Sequence, residues 1–217
     1  MNYVIEIFRA IYLSVFNVLL ASVCILNFKP IYKVANSLFN INNIINLSSS
    51  EIYLDYCRII DFINNPKDMI LDFNNFTLSD NALYHFIEVR NIFIGIYIFI
   101  LVGIIYFIYY LIKNMKERCY KLERVSFAAL IIIVVLSLII IIFSCVNFNL
   151  LFELFHEITF SNDYWIFDTV KDSIILALPE EFFLLCATMI LILSIFLSVA
   201  EVVISKYINK KCFKEVK

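Results

Sequence analysis

Three observations predict an all-α polytopic membrane protein with four transmembrane helices and a small, mainly helical extracellular domain. Of the 217 residues, 63% are hydrophobic, whereas an average soluble domain has about 45–50% apolar residues. Glycine and proline are scarce, at two and three copies. The apolar residues gather into four runs of about 20 residues, each long enough to cross ~30 Å of hydrocarbon.

The first run covers about residues 7–28. It is longer than the ~7–15-residue core of a cleaved signal peptide and no small-residue cleavage site follows it. Asn17 also interrupts it, and Lys29 and Pro30 come next, so it reads as a retained span. The following loop, about 29–91, is patterned. Ser48-Ser49-Ser50-Glu51 fits a capping box, in which Ser48 accepts from the Glu51 N–H and the Glu51 carboxylate reaches back. Ile52, Tyr56, Ile59 and Ile63 then recur at helical spacing until Asn64-Asn65-Pro66 ends the run. Met69 to Phe73 is short and reads as a strand or a loop. Ser79 suits a helix cap, and the helix it starts carries His85 and Glu88 towards a second span at about 92–112. The third and fourth spans cover about 127–148 and 182–204, and Pro179-Glu180-Glu181 marks the start of the last helix. The whole chain reads as a single membrane domain.

Lys and Arg placement orients the spans. Eleven of the seventeen basic residues lie on one side: Arg9, five in the loop 113–126 and five in the tail 205–217. The loops 29–91 and 149–181 hold fourteen of the nineteen acids. The positive-inside rule therefore predicts cytoplasmic termini and places the two patterned loops outside a plasma membrane. The six cysteines show no metal-ligand spacing, and three of them sit inside apolar runs, which speaks against a disulfide framework.

Both histidines of the chain, His85 and His156, fall in the outward loops beside a membrane boundary. Imidazole exchanges protons near neutral pH, so two of them at one interface suggest a shared acid–base site. Glu88 lies three residues after His85, and Glu153 three residues before His156. This is only part of a carboxylate-bridged metal motif, which needs further carboxylates, and His156-Glu157 lacks the second histidine of a zincin. No metal or other cofactor is called for. There is no G-x-S-x-G elbow, and the absence of a phosphate loop argues against nucleotide chemistry; no nucleic-acid partner is expected. Asp163, Tyr164 and Trp165 are candidate orienting or substrate-binding residues, with Trp165 equally suited to anchor the interface. Arg90 reads as a lipid-phosphate or carboxylate ligand, or as a snorkelling cation. Asp168 reads as the cap of a helix starting at Thr169.

These residues resemble the lipoprotein intramolecular transacylase family, Lit. The resemblance runs over nearly the whole chain. It rests on Leu83 to Arg90 and, more specifically, on His156 with Phe160, Asn162-Asp163, Trp165, Asp168 and Pro179-Glu180-x-Phe182-Phe183. Phe86, Arg90 and Thr169 depart from the family's usual methionine, lysine and proline. The resemblance implies a membrane acyltransferase of Gram-positive bacteria acting at the outer leaflet. Its substrate would be a diacylated lipoprotein, whose sn-2 acyl chain moves to the α-amine of the lipoprotein's N-terminal cysteine, giving the lyso form. His85 and His156 would be the catalytic pair. A protein partner or membrane lipid bound by a non-catalytic ectodomain is the alternative from another class.

Overall fold

A computed structural model describes residues 3–113 and 119–214, with side chains from 3–109 and 122–210. Lys116, Arg118 and Lys217 of the basic segments lie outside the described residues. Seven α-helices form the described chain: α1 (Tyr3–Asn27), α2 (Ile31–Phe39), α3 (Ile41–Ile45), α4 (Ser49–Asn64), α5 (Asp80–Lys113), α6 (Cys119–Thr159) and α7 (Glu180–Lys214), with a 3₁₀ turn at Ser173–Ala177. Among the described residues, four helices are long and apolar enough to span a bilayer, within α1, α5, α6 and α7. They contain the four apolar runs. Where the sequence reads as one domain, the chain divides into two compact units: residues 1–22, 98–142 and 189–217, and residues 23–97 and 143–188.

The first unit is built from apolar helices whose outer side chains stay open. Leu101, Ile105, Leu138, Ile142 and Phe196 are all exposed, as expected where lipid tails and not protein cover them. Apolar contact gives little drive to pair helices in lipid, so close packing and buried polar groups hold them. At Gly103 an added Cβ would stand 2.6 Å from Tyr12 Oη and 2.7 Å from a Phe16 ring carbon, so only glycine lets α5 approach α1 this closely. Ser14 Oγ hydrogen-bonds to the carbonyls of Ala10 and Ala129, at 2.8 and 3.2 Å. The Asn17 amide donates to Ser198 Oγ and Glu201 Oε2, at 2.9 and 3.0 Å. Asn17, which interrupts the first apolar run, is therefore a helix-pairing group.

The second unit carries the patterned loops. The Ser48 capping box forms as the sequence predicts and starts α4. The short helices α2 and α3 were not anticipated. Pro30 opens the first, and left-handed Asn40 and Asn46, with φ of 52° and 61°, end the two, a conformation that asparagine tolerates well. The Tyr32 and Tyr56 rings stack at 4.3 Å, Phe182 meets both edge-on, and Tyr32 Oη donates to the Ala177 carbonyl at 2.6 Å. This joins α2, α4, the 3₁₀ turn and the start of α7.

Residues 65–79 contain no regular element, so Met69 to Phe73 is loop and not strand. Buried Asp55 of α4 organises this stretch by accepting from the Asn74 and Asn75 N–H groups and from the Asn75 amide, at 3.0, 3.2 and 2.9 Å. Asp55→Ala removes all three part-buried hydrogen bonds, at a cost of about 1–3 kcal/mol. The expected outcome is a lower thermal midpoint in detergent and faster proteolytic nicking within 65–79; unchanged stability and an unchanged nicking rate would refute this assignment.

Candidate active site

The site lies wholly in the second unit and begins with two helices. Ser79 Oγ accepts from the Ala82 N–H at 3.3 Å at the start of α5, which then runs without interruption through His85 and Glu88. In α6, Asn147 has extended backbone angles, φ −162° and ψ 98°, and its side chain accepts from the Leu150 N–H at 3.0 Å. The asparagine thus ends one helical segment and caps the next, a break that the sequence reading did not foresee. The restarted segment presents His156.

The two imidazoles face each other with ring centroids 5.9 Å apart. Both residues are buried, with 8% and 9% exposure. Aromatic rings enclose them. Phe160 meets His85 at 4.6 Å and His156 at 5.7 Å, Phe167 meets His85 edge-on at 5.7 Å, and Phe152 lies 4.2 Å from His156. Trp165 stacks on His156 at 4.8 Å with 27° between the planes. An indole pressed on an imidazole is a wall of the site, in keeping with the orienting role among the two that the sequence allows Trp165.

His156 Nδ1 lies 2.7 Å from the Phe152 carbonyl oxygen. A carbonyl only accepts, so Nδ1 carries the hydrogen, and in the neutral ring Nε2 holds the free lone pair. His85 Nδ1 is buried with no hydrogen-bond partner. Both histidines lie outside the apolar runs 92–112 and 127–148. Burial, and then the neighbouring His156, pushes the His85 pKa down to about 4. Burial also lowers that of His156, opposed by its bond to the Phe152 carbonyl. The enclosure therefore favours two neutral rings.

Of the other expected residues, Glu88 joins the site and several do not. Its Oε1 accepts from Asn162 Nδ2 at 2.8 Å. Asn162, part of the quoted motif but not singled out, ties the loop after α6 to α5. Tyr164 packs edge-on against Tyr84 at 5.4 Å, and its N–H donates to Asn162 Oδ1 at 3.0 Å. Asp163 and Glu153 are exposed. Among the described residues no three His, Cys, Asp or Glu side chains gather at one point, so Glu153 does not complete a cluster with Glu88 and the histidines. Arg90 neither snorkels nor faces outward. It is buried, its guanidinium donates to the carbonyls of Asp68 and Asn65, and it covers the Phe62 ring at 4.5 Å. Its charge secures the loop after α4, and its Nε is buried with no hydrogen-bond partner.

No helix starts at Thr169. Asp168 instead closes a turn, its Oδ1 accepting from the Val170 N–H at 2.8 Å. The residue that anchors this loop is Asp172, which the sequence reading passed over. It is buried and accepts from the Ser79 N–H at 2.7 Å and the Asp168 N–H at 3.2 Å, while Ser173 Oγ accepts from the Thr77 N–H at 2.9 Å. A separate cleft of about 630 Å³ is lined by Tyr32, Lys33, Asn36, Ser49, Ser50 and Tyr53 and includes neither histidine. It offers one exposed cation and no histidine or carboxylate, so the enclosed pair is the better candidate for chemistry.

Comparison with known proteins agrees with this geometry. The family model described as "Lipoprotein intramolecular transacylase Lit" matches residues 7–183. The fold is similar to the solved in meso structure of the membrane-integral lipoprotein intramolecular transacylase Lit from Bacillus cereus, with 30% identity, TM-score 0.83 and full coverage of both chains. It is also similar to two structures of that protein in which a histidine is replaced. The arginine variant is 29% identical, with a TM-score of 0.78 and coverage of 97% of this chain and 93% of that one. The alanine variant is 30% identical, with a TM-score of 0.75 and coverage of 98% and 96%. Among proteins of curated function, none matches. With four apolar helices and a match over most of its length, the chain belongs to the lipoprotein intramolecular transacylase family, Lit, and is a multi-pass membrane enzyme.

Proposed function

We propose that the chain moves the sn-2 acyl group of a diacylglyceryl-cysteine lipoprotein to the α-amine of the same cysteine. The observation that carries this reading is the pair of buried imidazoles 5.9 Å apart. Donor ester and acceptor amine belong to one molecule, so the enzyme requires no nucleophile of its own. Much of the rate gain comes from holding the two ends together.

The neutral amine attacks the ester carbonyl carbon, forming the C–N bond as the carbonyl oxygen becomes anionic. His156 Nε2, the lone-pair nitrogen of its tautomer, takes a proton from the nitrogen. His85 stabilises the oxyanion by hydrogen bonding. Collapse breaks the C–O bond to glycerol, and the proton returns to the departing sn-2 oxygen. The products are an amide and a free hydroxyl, with no net proton consumed. Lys and Arg placement supports cytoplasmic termini and an outer-leaflet site; the bases of the 113–126 loop and the tail carry that orientation. A lipoprotein and the surrounding membrane lipid are the partners.

His156→Ala and His85→Ala each slow N-acylation by about 10²-fold or more. Tandem mass spectrometry of an ester-linked diacyl lipopeptide incubated with each purified variant reads this directly. A double variant that makes lyso product at the normal rate would sink the mechanism.

The titration of the rings supplies a second test. The chain has two histidines, so ¹⁵N-histidine labelling gives two ring spin systems. The His85 ring should be neutral at pH 6 and protonate near pH 4, and the His156 ring should titrate below the ordinary imidazole value. A folded pKa below the unfolded value of about 6.5 means that this histidine's contribution to stability is complete above that pH and is lost as the pH falls towards 4. A His85 ring that is half charged at pH 6.5 would contradict the enclosed, neutral pair.

A further inference from the structure

Glu88 holds one unpartnered hydrogen-bonding atom about one helical turn from His85. It stands three residues after His85, on the same face of α5. The Tyr164 N–H donates to Asn162 Oδ1, which fixes the amide so that Nδ2 points to Glu88 Oε1. The second oxygen, Oε2, is buried with no hydrogen-bond partner. Glu88 takes part in none of the ion pairs among the described residues. Arg90, two residues on, is committed to the carbonyls of Asn65 and Asp68.

A buried carboxylate oxygen without a donor is costly, and such an atom one helical turn from His85 points to a ligand that brings the donor. We propose that Glu88 Oε2 receives the α-ammonium group of the lipoprotein's N-terminal cysteine. This rests on the proposed acyl transfer, in which that nitrogen is the acceptor. The carboxylate binds the cation on arrival, and loss of one proton to solvent then gives the neutral amine that attacks. The carboxylate also opposes the positive charge that returns to nitrogen as the C–N bond forms. Acylation turns the nitrogen into a neutral amide, so the reaction removes the group that Glu88 holds. The contact therefore favours free-amine substrate over N-acylated product.

The test uses the full chain in detergent micelles and a fluorescent lipopeptide whose sn-2 ester is replaced by an ether, so that no acyl chain can migrate. Anisotropy measures its affinity with a free α-amine and as the des-amino analogue. Wild type should prefer the amine by about tenfold or more, as a charged hydrogen bond in a buried site allows. Glu88→Gln keeps an acceptor for Asn162 but loses the charge. It should bring the two affinities together by weakening amine binding alone, while Glu88→Asp, which keeps the charge, should retain the preference.

A Glu88→Gln chain that keeps the wild-type preference overturns the inference, as does equal weakening of both ligands, which marks a purely structural role. The wild-type comparison needs no variant, and absence of amine preference there also overturns it. Conversion of the ester-linked lipopeptide by wild type is read in parallel. Failure of that conversion overturns the proposed function, whereas conversion without amine preference overturns this inference alone.

Discussion

Two imidazoles enclosed by aromatic rings at 5.9 Å set the requirements for the rest of the second unit. Neither histidine has a carboxylate to hold it as an imidazolium, and burial disfavours charge on both. A neutral pair of this kind depends on walls that exclude water without occupying the ring nitrogens. Phe160, Phe167, Phe152 and Trp165 provide them through ring faces and edges. The walls in turn depend on the loop after α6, which Asn162 fastens to Glu88 and Asp172 fastens to Ser79. The break at Asn147 ends one helical segment of α6 before the segment that carries His156.

The two units differ in the groups that hold each of them together. In the first, exposed Leu, Ile and Phe side chains suit hydrocarbon, and buried Ser14, Asn17, Ser198 and Gly103 bring the helices together. In the second, the Ser48 capping box, asparagine caps and carboxylate-to-backbone bonds recur.

Features governed by local sequence were legible without coordinates. Span length and apolarity marked the four long helices. Ser48 and Glu51 marked the start of α4, and the three-residue spacing of His85 and Glu88 placed them on one helical face. The approach of His85 to His156 was inferred from their common side of the membrane, and the rings do meet. Roles set by long-range packing were not legible. Trp165 beside a span suits an interface anchor as well as an orienting residue, and only its distant partner in the helix makes it a wall. Arg90 looked outward because the carbonyls that bury it belong to a loop 22 to 25 residues away. Asp168 before Thr169 has cap chemistry, but the backbone turns there instead of winding into a helix. Asn162 was visible in the motif, yet its bond to Glu88 spans 74 residues and no local pattern encodes it.

The central claim is that the substrate supplies both reacting ends and the two histidines address them. The most direct measurement is a structure of the chain with a diacylglyceryl lipopeptide whose sn-2 ester is replaced by an amide, which retains the carbonyl but resists transfer. The account predicts the cysteine α-nitrogen within hydrogen-bond reach of His156 Nε2 and the sn-2 carbonyl oxygen within reach of His85. A lipopeptide head bound elsewhere, for instance in the cleft beside Lys33, with both imidazoles untouched, would contradict it.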